Sequence, residues 1–594
     1  MSRVSAPAFR LRPLIARALA AVASLALGAG VLAGCGSSHR IATSADPASA
    51  IPASAALYAG ATVRPTGAQR TEALAAGSAL THQADPYLRL LAALQTPGSP
   101  TLDFKRDVAP WLGPHAGVYL ASLSSAGPIA EVLQQGLLGG GSAGSGTFPL
   151  ATGSAEGAIV LDTSDATKAR AFLESQARHA SAHATSYRGV SYEATAKGLA
   201  FGIVDRFAVI GSEAGMHGVI DTTLGGSSLV HSSGYAKLLA AAPSDALAHI
   251  YSNPTTVATP GASAGSQAGL SGVLGLLSSG HQANISLVAS SGSLALDADT
   301  LGAGSKNGAG GGLLSADPAG AQSLAELPGE SWLAIGLGNV GESLAGDVQG
   351  LESLGSLVAG ASGPAGVAAP ASSTLSIGGL LEGMLAPLKV LGAPTAQAKR
   401  AFTSWMGSAG IFASGGSLLE LKAAVVIESK DPARSRAAVN ELASQLVKAG
   451  GSLQRNSIPG TDASVGARLT GLPVILDIAD GRDSSGHTKF VLGFGEASVT
   501  AALSPGSTLA SAPSRGTAAS TLGEGAQPSI LADFPTLLSL LEGVGLTEDP
   551  AFSKFVPYLR SLTTLAGGGH DLGGEVQRFR LVLGLQTATS TPSG

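Results

Sequence analysis

The segment AIVLDTSDATKARAFLESQA at residues 158–177 recurs, without a gap, as AVVIESKDPARSRAAVNELA at residues 424–443. A unit carried twice constrains the fold strongly, because both copies must bury the same faces. Apolar positions correspond at Ile159 and Val425, Val160 and Val426, Leu161 and Ile427, and Leu173 and Val439. Asp162 corresponds to Glu428, Asp165 to Asp431, Lys168 to Arg434 and Arg170 to Arg436. The β-branched run reads as a strand. Asp165 or Asp431 then supplies a helix N-cap, and Pro432 fits a first helical turn.

Other pieces recur in the same order. WLGPHAGVYL (111–120) resembles WMGSAGIFA (405–413), and PASAALYAGA (52–61) resembles PGESWLAIGL (328–337). VIGSEAGMHGVIDTTLGGSSLVHS (209–232) resembles VLGFGEASVTAALSPGSTLASA (491–512). Each half ends in segments of alternating polarity, 283–299 and 576–586, which predict strands with one buried face. The expected fold is α+β: two tandem, internally duplicated modules at 50–302 and 325–587. Each would be an antiparallel sheet with helices packed on one face. The glycine-rich 303–324 reads as the linker between them and 588–594 as a flexible tail.

The chain has one cysteine, Cys35, in VLAGCGSSHR (31–40). Upstream stand Arg3, Arg10, Arg12 and Arg17, then a short apolar run, the pattern of a secretory signal over residues 1–34. Leu32-Ala33-Gly34-Cys35 resembles a bacterial lipobox. That resemblance implies cleavage before Cys35 and acylation of its thiol, with 35–50 as a polar tether. The apolar run is shorter than the roughly 20 residues a spanning helix prefers. More than one acyl chain gives a stable anchor where a single chain does not.

Charged residues make up 13% of the chain, against about 25% in ordinary soluble proteins. The net charge is −5, and no basic patch interleaves with aromatics, so nucleic acid is not an expected partner. With its one thiol acylated, the chain has neither a disulfide framework nor a thiolate for catalysis.

IPASAALYAGATVRPTGAQR, FKRDVAPWLGPHAGVYL, AIVLDTSDATKARAFL, YRGVSY and FAVIGSE resemble an uncharacterised bacterial extracytoplasmic family, domain of unknown function family 3352. The resemblance covers most of the first module and, more weakly, the second. It implies location and architecture, and it carries no catalytic residues over.

Several motifs invite a chemical reading. GLGNVG (336–341) has the GxGxxG spacing of a dinucleotide loop, yet no parallel strand ending in an acidic residue follows at the required distance. GxSxG occurs around Ser142 and Ser263, both in glycine-rich stretches that lack the strand–turn–helix setting of a nucleophile elbow. His179 and His183 are four apart and could share a helix face as metal ligands, but no third ligand accompanies them. Asp162, Asp165, Glu428 and Asp431 fall at strand-to-helix junctions, where capping accounts for them. Trp111 and Trp405 read as core residues beside the following strands. No catalytic residue, cofactor or metal is expected.

The expectation is therefore a non-enzymatic, lipid-anchored protein on the extracytoplasmic face of the cell membrane. It would bind or scaffold an envelope protein or lipid, or alternatively carry a hydrophobic envelope ligand.

Overall fold

The computed structural model describes residues 45–81, 103–122, 156–253, 281–302, 318–341, 403–417, 419–448, 451–468, 475–543, 545, 553, 556–572 and 575–586. Cys35 lies outside them, as do Ser142 and Ser263. Twenty strands occur among the described residues. Ten lie in the first half: β1 (Leu57–Thr62), β2 (Leu112–Leu120), β3 (Gly157–Thr163), β4 (His183–Tyr187), β5 (Val190–Ala194), β6 (Leu199–Val204), β7 (Phe207–Ser212), β8 (Ala248–Ser252), β9 (Ala283–Ser290) and β10 (Ser293–Leu301). Ten follow: β11 (Ser331–Leu337), β12 (Met406–Ser414), β13 (Lys422–Ser429), β14 (Ser452–Arg455), β15 (Thr461–Arg468), β16 (Ile475–Arg482), β17 (Thr488–Phe494), β18 (Gln527–Asp533), β19 (Leu562–Asp571) and β20 (Val576–Leu585).

All pairings are antiparallel. Across the sheet the strands run β4-β5-β6-β7-β3-β2-β1-β8-β9-β10 and then β20-β19-β18-β11-β12-β13-β17-β16-β15-β14. The second half repeats the strand order of the first, read outward from the centre. The expectation of two separate sheet-and-helix modules is nevertheless wrong. β10 pairs with β20 from Ser293 opposite Gly584 to Leu301 opposite Val576, so the strands form one large sheet interleaved with helices. The physical reason is the edge. Each half ends in a strand whose outer backbone groups need partners, and joining the two edges satisfies both.

Helices lie on both faces, not on one. On β3, Ile159 and Leu161 share a core with Ala169, Phe172 and Leu173 of α1 (Ala166–His179). The intervening Ala158 and Val160 share another with Met216 and Val219 of α2 (Glu213–Thr223) and Leu238 of α3 (Ser233–Ala241). Consecutive strand residues face opposite ways, so β3 is covered on both sides and all seven of its residues are buried. The second half follows suit. α4 (Pro318–Ala325) packs beside β11, and α5 (Pro432–Lys448) packs on Val425 and Ile427. On the other face of β13, α6 (Glu496–Leu503) and α7 (Pro513–Leu522) cover Ala424 and Val426.

Local chemistry explains the repeated unit. Asp165 Oδ1 accepts from the Thr167 and Lys168 amides, and Asp431 Oδ1 from those of Ala433 and Arg434. Such a cap contributes about 1 kcal/mol. Trp111 and Trp405 are core residues, with ring centroids 5.1 Å from Phe172 and from Phe490. The β4–β5 hairpin turns through Arg188 (φ 48°) and Gly189 (φ 84°), the positive pair that suits a two-residue turn.

The two halves are locked at the centre by charge. β10 supplies Asp297 and Asp299, both fully buried, and β20 supplies Arg580 and Arg578 directly opposite them. Arg578 donates to Asp299 at 2.7 and 3.0 Å, and Arg580 to Asp297 at 2.6 and 2.7 Å. Each arginine also reaches a helix end: Arg578 donates to the Ala241 carbonyl at the end of α3, and Arg580 to the Leu522 carbonyl at the end of α7. Burial lifts the Asp299 carboxyl above the usual range against the pull of Arg578.

Candidate functional site

Because the halves share a strand order, the places where they differ are informative. In the first half Pro52 bridges to Ser228, and in the second Pro328 bridges to Thr508. The helix after the matched strand opens with Glu213-Ala214 in one and Glu496-Ala497 in the other. Fifteen positions separate Glu213 from Ser228, whereas twelve separate Glu496 from Thr508. Accordingly α2 runs to Thr223, while α6 stops at Leu503 and gives way to Ser504-Pro505-Gly506-Ser507.

A second difference acts at the same spot. Gly218 lies so close to its neighbours that a Cβ there would meet Tyr119 Oη at 2.5 Å and Pro52 Cγ at 3.3 Å. Pro52 and Tyr119 therefore close over α2, with Tyr119 donating to the Gly215 carbonyl at 2.7 Å. In the second half Ala501 stands at the Gly218 position and Phe412, without a hydroxyl, at the Tyr119 position. The result is an open cleft of about 930 Å³ between α6 and the starts of β11 and β13. That is within the range of small-ligand sites. Its polar lining is Glu330, Lys422, Glu496, Thr500, Ser504 and Ser507.

The electrostatics also differ. Lys422 donates to Glu330 at 2.9 Å, a pair on the cleft rim. In the first half Glu213 accepts from Tyr192 Oη at 3.3 Å, and Tyr192 also touches His217 Nε2 at 2.8 Å. Counting outward from the pairs Ile159–Ile210 and Val425–Leu492, the place of Tyr192 is taken by Ser464, whose hydroxyl donates to the Asn456 carbonyl at 2.8 Å. Glu496 thus lacks the phenol that occupies Glu213. Buried Asp477 sits within reach of its field: burial first, and then the Glu496 charge, hold Asp477 above the usual carboxylate range, against the hydrogen bond from Asn456.

The residues singled out from sequence are scattered. Asp165 and Asp431 are caps, but Asp162 and Glu428 are not. Asp162 is a buried strand carboxylate paired to Arg206 at 3.0 Å, and Glu428 accepts from Ser408 Oγ at 2.9 Å. His179 ends α1, its Nδ1 2.6 Å from the Ser175 carbonyl oxygen, whereas His183 opens β4, so the two share no helix face. No group of three potential metal ligands occurs among the described residues. Gly336 and Gly341 of GLGNVG serve backbone packing. A Cβ on Gly336 would stand 1.9 Å from the Gly320 carbonyl oxygen in α4, and one on Gly341 2.5 Å from that of Thr403. The left-handed residue of that loop is Asn339, at φ 46°. Sequence reasoning missed Glu330, Lys422 and Glu496. The signal was the shorter helix-and-loop segment of the second copy.

Asp162 carries a pH expectation. Burial raises its pKa more than Arg206 lowers it. The protonated form therefore suits the fold, and its stabilising contribution is lost as pH rises from the usual carboxylate value through the folded one. Asp162→Asn should give a shallower fall in melting temperature as pH rises above the usual carboxylate value of about 4 than the natural chain. An unchanged slope would show that Asp162 is not the titrating group.

Among the described residues no helix is long and apolar enough to cross a membrane. No curated protein matches the chain, and no solved structure does. One family profile, described as "Protein of unknown function (DUF3352)", matches residues 17–566. A match over that much of the sequence, covering both copies of the strand–helix unit, places the chain in the DUF3352 family.

Proposed function

We propose that the protein is lipid-anchored through Cys35 on the extracytoplasmic face of the bacterial cell membrane. There it has a non-catalytic binding role in the envelope, and the cleft over α6 is its binding surface. One observation carries the binding role: where the first half closes the groove with Gly218, Pro52 and the last turn of α2, the second leaves it open. The cleft lining is an ion pair, a carboxylate and hydroxyls, groups suited to holding a ligand. Anchoring is supported by the lipobox. Nine residues separate Cys35 from Ala45, a reach of at most about 35 Å, so the fold would stand close to the bilayer.

Cys35→Ala is expected to move the protein from the membrane to the soluble fraction or to leave it unprocessed. Fractionation with intact-mass measurement checks this. A variant that stays membrane-bound and is processed normally would refute the anchor. In native mass spectrometry of protein purified from its own membrane, an additional stoichiometric lipid mass beyond the anchor would favour carriage over surface binding.

A further inference from the structure

We infer that the cleft over α6 takes a ligand bearing a primary ammonium group, held by Glu496 beside Thr500, with Ser504 and Ser507 farther along the same cleft lining. The inference rests on the proposed binding role and names the chemistry of that site. Three observations support it. The one cation lining the cleft among the described residues, Lys422, is already neutralised by Glu330 at 2.9 Å, so an anionic ligand would have to displace a formed ion pair. Glu496 is exposed on the cleft wall, and no ion pair to it occurs among the described residues, unlike Glu330 beside it. The counterpart Glu213, in the closed half, has Tyr192 as a hydrogen-bond donor, whereas Ser464 at the Tyr192 position is turned to Asn456.

The field agrees with this. Asp477 lies in the core with Asn456 as its hydrogen-bond partner, and Glu496 and Asp477 repel one another. A bound ammonium would relieve that repulsion while donating to Glu496, and Thr500, one helical turn on, offers the neighbouring hydroxyl oxygen. Pro328, Ala497, Ala501 and Pro505 give the apolar part of the wall, against which the carbon frame carrying the amine would lie. An amino sugar and a lysine side chain share this chemistry.

The test uses the full chain in detergent micelles and three probes: glucosamine, Nα-acetyl-lysine amide, and N-acetylglucosamine as a neutral control. The expected result is saturable binding of at least one amine by titration calorimetry. The control should bind at least about tenfold more weakly, and Glu496→Gln should weaken the amine about tenfold. Glu496→Asp, which keeps the charge, should retain more binding than Glu496→Gln. Which amine binds more tightly identifies the source. No saturation by either amine below about 10 mM, equal binding of the control, or an unchanged Glu496→Gln would overturn the inference. Melting curves of the variants verify folding. Membrane fractionation of Cys35→Ala is read independently, so failure here and failure of the anchored reading are distinguishable.

Discussion

Arg578→Ala is expected to destabilise the chain by about 3–5 kcal/mol, the cost of removing one partner from a buried ion pair. Asp299 is fully buried and takes two hydrogen bonds from that one guanidinium. Truncation leaves its carboxylate facing Asp297 with only Arg580 nearby, and it also strips a donor from the end of α3. Urea unfolding followed by tryptophan fluorescence is a suitable measurement, because Trp111 reports on the first half and Trp332 and Trp405 on the second. Removing both charges, as Arg578→Met with Asp299→Leu, should recover most of the loss, since a well-packed apolar pair often matches a buried ion pair. A loss below about 1 kcal/mol for Arg578→Ala would mean that water reaches the centre of the sheet and screens it.

The second large effect is expected at Gly336. The added methyl of Gly336→Ala would press on backbone, the Gly320 carbonyl oxygen and the Leu324 amide nitrogen, which cannot rotate away as a side chain can. α4 must then lift from β11, at a cost of about 3 kcal/mol, the upper end of ordinary overpacking. Gly516→Ala is the contrast. Gly516 lies inside α7 with open space where its Cβ would go. Alanine should there stabilise by about 0.5–1 kcal/mol through helix propensity. If Gly336→Ala melts like the natural chain, the GxGxxG spacing has some purpose other than helix–strand contact.

How much of this was legible beforehand follows from which interactions are local. The strand–helix unit at 158–177 and its copy could be read because the apolar run, cap and amphipathic helix all lie within twenty residues. Trp111 and Trp405 were readable for the same reason. The joining of β10 to β20 was not, because alternation reveals a strand's faces but never its neighbour. The alternating Asp297 and Asp299, and Arg578 and Arg580, looked like solvent-facing positions, yet the first three are buried and Arg580 half-buried, with both arginines bonded to helix ends. Asp162 was misread as a cap because it stands three residues before the true one. The cleft was half-visible. The second copy of the helix-and-loop segment is shorter, but only the fold shows that the missing turn would have lain over Pro328.

The charge arrangement at the centre also decides which edges can meet. Both aspartates come from β10 and both arginines from β20. Were a β10 edge to meet another β10 edge in the same antiparallel manner, carboxylates would oppose carboxylates, and two β20 edges would oppose guanidinium groups. Like charges across a strand pair are destabilising even at a surface. The two edges are therefore complementary to each other and repellent to themselves. Unpaired, the β10 edge of the first half presents an acidic stripe that would disfavour pairing with the same edge of another chain. The arginines that complete it lie on β20, the last strand among the described residues.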